Sequence, residues 1–139
     1  MIYADYAATT PLDKKVLEKM MPYFSENYGN PSSMHAFGRE ASSEVENARG
    51  EIAKIINARK NEIYFTSGGT ESDNWALTSV LNSEKNHIIT TSIEHHAIIN
   101  QCKNLHKNGV EVTFVEADEN GIISTEKIKN SIKSNTALI

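Results

Sequence analysis

Cysteine is nearly absent: Cys102 is the only one in 139 residues, so no disulfide can close within the chain and no cysteine-based zinc cluster can be assembled. There is no Lys/Arg-rich run of the kind that tracks a phosphate backbone, and 14 basic against 18 acidic residues leave a formal net charge of −4. Nucleic acid is therefore not an expected partner. No apolar stretch approaches the roughly 20 residues needed to cross a bilayer, and Met1 is not followed by the basic segment and apolar core of a secretory leader. These absences make a cytoplasmic protein, without membrane or nucleic-acid contacts, the expectation. Repeats and low-complexity linkers are missing as well, so two complete domains are not expected.

What is present reads as an alternation of helices and strands. Thr10, Pro11 and Asp13 form a helix start, with Thr10 as cap, Pro11 where no N–H is needed and Asp13 at the positive end. Leu12, Val16, Met20 and Phe24 recur at helical spacing, and Pro22 predicts a kink or an early end. Residues 28–33 carry the Gly, Asn, Pro and Ser of a loop. From about Ala36, positions 41, 45, 48, 52 and 55 predict an apolar stripe on a long helix. Four β-rich runs follow, at 63–66, 87–91, 110–115 and 135–139. Helical stretches at about 70–81, 95–107 and 124–132 separate them. The order β-α-β-α-β-α-β predicts a parallel sheet flanked by helices with right-handed crossovers. Residues 136–139 are apolar, with no terminating turn or polar tail, so the expectation is a piece of a longer chain.

Two segments carry candidate chemistry. In Phe65-Thr66-Ser67-Gly68-Gly69-Thr70-Glu71, two glycines stand between a strand-like run and a helix. Main-chain N–H groups there can approach a ligand, and the helix start suits a phosphate. Hydroxyls of Ser67 and Thr70 can add donors. The turn lacks the lysine of a nucleotide P-loop and the third glycine of a dinucleotide fold. Spacing alone leaves open whether Thr70 merely caps the helix. The second segment, Ser92-Ile93-Glu94-His95-His96, follows the next strand, so on a parallel sheet both lie at the carboxyl edge where α/β sheets bind ligands. An imidazole there can stack on a flat ring and move protons near neutral pH. Two surface histidines at a helix start are the alternative. Adjacent helical residues point about 100° apart, so His95 and His96 are not expected to share a metal. Cys102 sits with Ile98, Ile99 and Leu105 at helical spacing and reads as a small core residue rather than a nucleophile.

Four ordered motifs together resemble the NifS/IscS-type cysteine desulfurases, class V aminotransferases of the fold-type I pyridoxal phosphate architecture. They are Asp5-Tyr6-Ala7-Ala8-Thr9-Thr10-Pro11, Gly29-Asn30-Pro31-Ser32-Ser33-Met34-His35 with Phe37-Gly38, Phe65 through Asn74, and Glu94-His95 with Ala97. The resemblance runs from Ile2 to Ile139, with Tyr6 where many members have Asn. It implies an α/β fold, the N-terminal part of an aminotransferase large domain whose sheet is incomplete. Residues 1–35 would form an N-terminal segment and residues 36–139 the first part of the pyridoxal phosphate-binding domain. Its implied parent activity converts L-cysteine to L-alanine, the sulfur leaving as an enzyme persulfide for an acceptor protein in iron–sulfur cluster assembly. Gly69 and Thr70 would bind the pyridoxal phosphate, His95 would stack on its ring and assist proton transfer, and Asn30 would lie near the substrate carboxylate, with Ala7, Ala8 and Thr9 lining the approach. A homodimer is implied, and no metal.

By the same resemblance, the Schiff-base lysine, the aspartate facing the ring nitrogen, the substrate-carboxylate arginine and the persulfide cysteine all correspond to positions after Ile139. A chain without them is expected to be inactive on its own, because the protein must hold the cofactor and keep its ring nitrogen protonated for it to act as an electron sink. Two other readings remain at this point. One is a selenocysteine lyase or another class V relative, and the other a non-catalytic phosphate-binding or interaction module.

Overall fold

A computed structural model describes residues 2–139 and divides into two compact units, one reaching Tyr64 and one spanning Phe65–Ile139. In the first unit, α1 (Lys14–Met20) opens later than Thr10. Asp13 is the cap, its Oδ1 accepting from the amides of Lys15 at 2.8 Å and Val16 at 3.4 Å. The carboxylate both fills those donors and faces the positive helix end, an advantage the uncharged Thr10 hydroxyl lacks. Pro22 breaks the helix as its missing N–H requires: α1 stops at Met20 and a short α2 (Pro22–Ser25) restarts with the proline in its first turn. The long α3 (Ala36–Ile55) follows, capped by His35, whose Nδ1 accepts from the Gly38 amide at 3.3 Å.

The glycines of the 29–38 motif are structural. A Cβ added at Gly29 would meet the Phe37 carbonyl oxygen at 2.2 Å, and one at Gly38 would meet that of Ser33 at 2.1 Å. The loop and the helix start are thus interlocked through backbone that no larger residue fits. On α3 the buried residues are Gly38 and Ala53, while the expected stripe stays largely exposed, with Ile55 at 82%. Helix α3 is tied instead to a following 3-10 turn (Lys60–Glu62) by polar contacts. Glu46 receives Arg49 at 2.9 Å and Lys60 at 3.0 Å, and these partners, Lys60 first, hold its carboxyl below the usual range.

The second unit contains the sheet. Its elements are α4 (Gly69–Thr78), a 3-10 turn (Ser79–Asn82), β1 (His87–Thr91), α5 (His96–Lys107), β2 (Glu111–Val115), α6 (Thr125–Ser131) and β3 (Thr136–Leu138). The strands are parallel in the order β2-β1-β3. Among the described residues three strands form, not four. Both edges of β1 are taken by β2 and β3, and the run at 63–66 does not join the outer edge of either. Each loop carries the expected chemistry. Gly109, at φ +93°, leaves α5 in a left-handed conformation closed to most residues. Asp118 Oδ1 closes the next turn by accepting from the amides of Asn120 at 3.0 Å and Ile122 at 2.8 Å.

Leu77, Val80, Ile88, Cys102, Leu105 and Val110 form the core, with Ile98, Val112, Phe114 and Leu138 packed on it. Burial of each large aliphatic side chain contributes about 1.5–3 kcal/mol. His87, Ile88 and Ile89 are buried in succession, as a central parallel strand covered on both faces requires. No helix of the described residues is long and apolar enough to cross a membrane.

Candidate functional site

Helix α4 opens at Gly69 with Gly68 as its cap, and no side chain supplies a capping hydrogen bond. Thr70 is therefore the second helical residue and not the cap. The first amides of an α-helix have no intrahelical acceptor and sit at its positive end, so this turn presents N–H groups suited to an anion. Neither glycine is demanded by packing: a Cβ built at Gly68 or Gly69 meets nothing within 4 Å. Gly29 and Gly38 are glycine because backbone crowds them, whereas the space over Gly68 and Gly69 is open to a ligand.

The turn is held on both flanks by its own side chains. Glu71 Oε2 accepts from the Ser67 amide at 2.6 Å and from the Ser67 hydroxyl at 2.7 Å, bonds that keep its carboxyl below the usual range. Thr66 Oγ1 and Ser72 Oγ lie 2.7 Å apart, and both are within bonding range of the Gly68 carbonyl, at 3.2 and 3.3 Å. The Ser67 hydroxyl, expected from sequence to face a ligand, is thus engaged by Glu71. Thr70 keeps its hydroxyl clear of such bonds, and its carbonyl accepts from Asn74 Nδ2 at 2.7 Å.

His95 stands just beyond the carboxyl end of β1 and caps α5, its Nδ1 accepting from the Ala97 amide at 3.1 Å. In the neutral ring this leaves the proton on Nε2, and the imidazole is exposed. The loop leading to it is pinned by Glu94, which accepts from Thr91 Oγ1 at 2.8 Å, and by the Ser92 amide, which donates to the Val115 carbonyl at 3.0 Å. The His95 and His96 ring centroids are 6.4 Å apart with planes tilted by 55°. Among the described residues no group of three or more His, Cys, Asp or Glu could hold a metal ion.

Thr70 and His95 line one open cavity of 370 Å³ together with Asn74, His96, Asn100 and Gln101. The structure therefore brings the α4 turn and the imidazole to a shared space. Asn30 belongs to the first unit, where its Oδ1 accepts from the Ser32 amide at 2.9 Å and shapes the loop. Cys102 is fully buried in the core, and burial, with the Glu94 charge adding to it, pushes its thiol up, the opposite of an activated nucleophile. Sequence reading gave no role to Asn74, which ends the Phe65–Asn74 motif, and missed Asn100 and Gln101, which have no motif of their own. It also missed Glu71, whose signal was an acidic residue in the first turn after a glycine cap.

The chain is thus a parallel α/β unit in which an open glycine turn leads into a helix whose Thr70 shares a cavity with the His95 imidazole. The model of the family Aminotransferase class-V matches residues 2–139, and the chain belongs to that family. It is 50% identical to the cysteine desulfurase IscS of Clostridium botulinum (strain Kyoto / Type A2) over 99% of its own length and 36% of that protein. Among solved structures, a NifS-like protein superposes with a TM-score of 0.87 at 38% identity, covering 95% of this chain and 37% of the other. SspA in complex with cysteine gives 0.86 at 40% identity, covering 96% and 40%. The three-stranded parallel sheet with its helices matches the N-terminal part of these folds, and the chain spans little more than a third of the length of such relatives.

Proposed function

We propose that this chain carries the phosphate cup and the ring-facing histidine of a pyridoxal phosphate-dependent cysteine desulfurase. The observation that carries the reading is the open turn at Gly68 and Gly69, whose next residue, Thr70, lines the same cavity as His95, in a chain 50% identical to a cysteine desulfurase. The residues fit the group. Amides at the start of α4 and the Thr70 hydroxyl suit a phosphate, and the exposed His95 ring, fixed by its cap bond, suits the face of a pyridine. When bound, pyridoxal phosphate supplies the electron sink for bond cleavage next to an amino group.

Each residue's part follows from its place. Gly69 and Thr70 anchor the phosphate. His95 orients the ring and, through Nε2–H, holds a proton at its edge. Asn30 serves the substrate carboxylate with its remaining Nδ2 donors. In the same reading, residues 1–35 form the substrate-side segment and residues 36–139 the first part of the cofactor domain. The parent enzyme is a cytoplasmic homodimer that takes L-cysteine, releases L-alanine and passes sulfur to an acceptor protein. In this reading residues 1–139 are inactive alone, because none of the described lysines lines the cavity that Thr70 and His95 share.

Titration of the chain with pyridoxal phosphate, followed by His-variant-sensitive absorbance and by alanine release from L-cysteine, tests this. Expected is binding that Thr70→Val weakens about tenfold, through loss of a hydrogen bond to a charged group, without alanine formation. Failure of the chain to bind pyridoxal phosphate overturns the site assignment, and sustained alanine release overturns the inactivity.

A further inference from the structure

The most specific contact beside the turn is one the proposed chemistry does not use. Glu71 reaches back across the first turn of α4 and takes both donors of Ser67, the amide at 2.6 Å and the hydroxyl at 2.7 Å. Its carboxyl is held below the usual range by those two bonds, so it is an anion at neutral pH. An anion in this place is paradoxical for a phosphate site: it repels the ligand that the neighbouring amides attract. The two bonds to Ser67 give it a compensating role.

We infer that Glu71 is a positioning residue, which latches Ser67 so that the Gly68–Gly69–Thr70 amides are set toward the ligand before it arrives, and which withdraws the Ser67 hydroxyl from the cup. This rests on the reading of the turn as a cofactor-phosphate site. The Ser67–Glu71 latch and the Thr66–Ser72 pair each span the glycines, and both also bond backbone of the turn. Within both spans lie two residues without side chains and with nothing packed over them. Such a segment has much backbone freedom to lose on binding, and fixing it in advance removes that entropy cost from the binding step. Withdrawal of Ser67 also makes Thr70 the sole hydroxyl of the turn left to face the phosphate.

The latch and the charge of Glu71 push affinity in opposite directions, which makes the inference testable. Kd is measured for inorganic phosphate and for pyridoxal phosphate, with pyridoxal as the control lacking phosphate, on the unaltered chain and on Glu71→Ala, Glu71→Gln and Ser67→Ala. Amide exchange at residues 67–70 is followed in the ligand-free state. Expected for Glu71→Ala are faster exchange and about tenfold weaker binding of both phosphate probes, with pyridoxal unchanged. Glu71→Gln, which keeps an acceptor for the Ser67 amide, restores affinity to within about threefold. Ser67→Ala changes affinity by less than about twofold, because that hydroxyl does not face the ligand. Equal or tighter phosphate binding by Glu71→Ala overturns the inference and leaves simple repulsion. A Ser67→Ala loss as large as that expected for Glu71→Ala also overturns it, and remains readable if Glu71→Ala does not fold. Absence of binding by the unaltered chain overturns the cofactor reading itself, whereas normal binding that Glu71→Ala leaves intact overturns only the role of Glu71.

Discussion

Two histidines, one at each end of β1, show how one side chain is put to opposite uses. His87 opens the strand fully buried, with Nδ1 2.8 Å from Thr136 Oγ1 on β3 and Nε2 2.9 Å from Thr113 Oγ1 on β2. His95 lies past the other end, exposed, with one nitrogen used for a helix cap and the other turned outward. Both polar capacities of His87 are satisfied by neighbouring strands, so it cross-links the sheet and has nothing left for a ligand. His95 has its orientation fixed by one bond and its second nitrogen in reserve. A histidine in a sequence marks neither role; the number of its partners within the fold decides.

The largest effect should come from removing the saturated ring. Replacement of His87 by Ala removes the partner of the Thr113 hydroxyl, leaves that of Thr136 with only the Lys133 amide, and opens a cavity in the middle strand, at a cost of about 3 kcal/mol. Chemical denaturation of the chain measures it, and His95→Ala, which loses only a cap bond, should cost about 1 kcal/mol. Equal costs for the two would erase the distinction between a histidine saturated within the fold and one that makes only a cap bond.

Acid sharpens the same contrast. Burial lowers the His87 pKa, with the Glu111 charge opposing and Lys133 assisting the shift. Those two are the charged groups facing it. They are ion-paired with each other, and Asn135 Nδ2 donates to Glu111 Oε2 at 3.2 Å. Because the folded value lies below the ordinary imidazole value of about 6.5, the unfolded chain takes up more protons as pH falls through that value. Stability is then lost on acidification and fully present above it. Glu111, whose carboxyl is lowered chiefly by its hydrogen bond to Lys133, contributes in the same direction but only near the lower carboxylate range. Denaturation midpoints measured between about pH 7 and pH 5.5 should fall for the unaltered chain and stay flatter for His87→Ala. Parallel curves would show that His87 does not carry the dependence.

Much of this arrangement was legible in the sequence, and the limits were local competitions. Strands β1, β2 and β3 and helices α3, α5 and α6 fall where periodicity and caps put them, because Asn108, Gly109, Asp118 and Ser124 act on neighbours only a few residues away, Gly109 through its φ and the others through side-chain bonds to nearby backbone. The run at 63–66 has strand composition, yet composition does not supply a partner, and it pairs with neither β2 nor β3. Asp13 displaced Thr10 as a cap because a charge at a helix end outweighs a hydroxyl. Within the site, the turn and His95 were visible as motifs. The capture of the Ser67 hydroxyl by Glu71 was not, since a hydroxyl reads the same whether it faces a ligand or its own helix. The double bonding of His87 was equally hidden: it joins residues 26 and 49 positions away in the chain.

The smallest stability effect should be His95→Asn, and it tests the functional side of the contrast most cleanly. Asn is among the best helix caps, and its side-chain oxygen can replace Nδ1 as the acceptor for the Ala97 amide. The change in unfolding free energy should therefore stay within about 0.5 kcal/mol. The flat ring is lost all the same, so the absorbance and fluorescence of bound pyridoxal phosphate should shift and its affinity fall several-fold, while inorganic phosphate, held by the α4 turn, binds as before. If His95 serves only as a cap, Asn will restore every property at once. If its ring faces the cofactor, fold and phosphate binding survive while the ring-dependent signature does not.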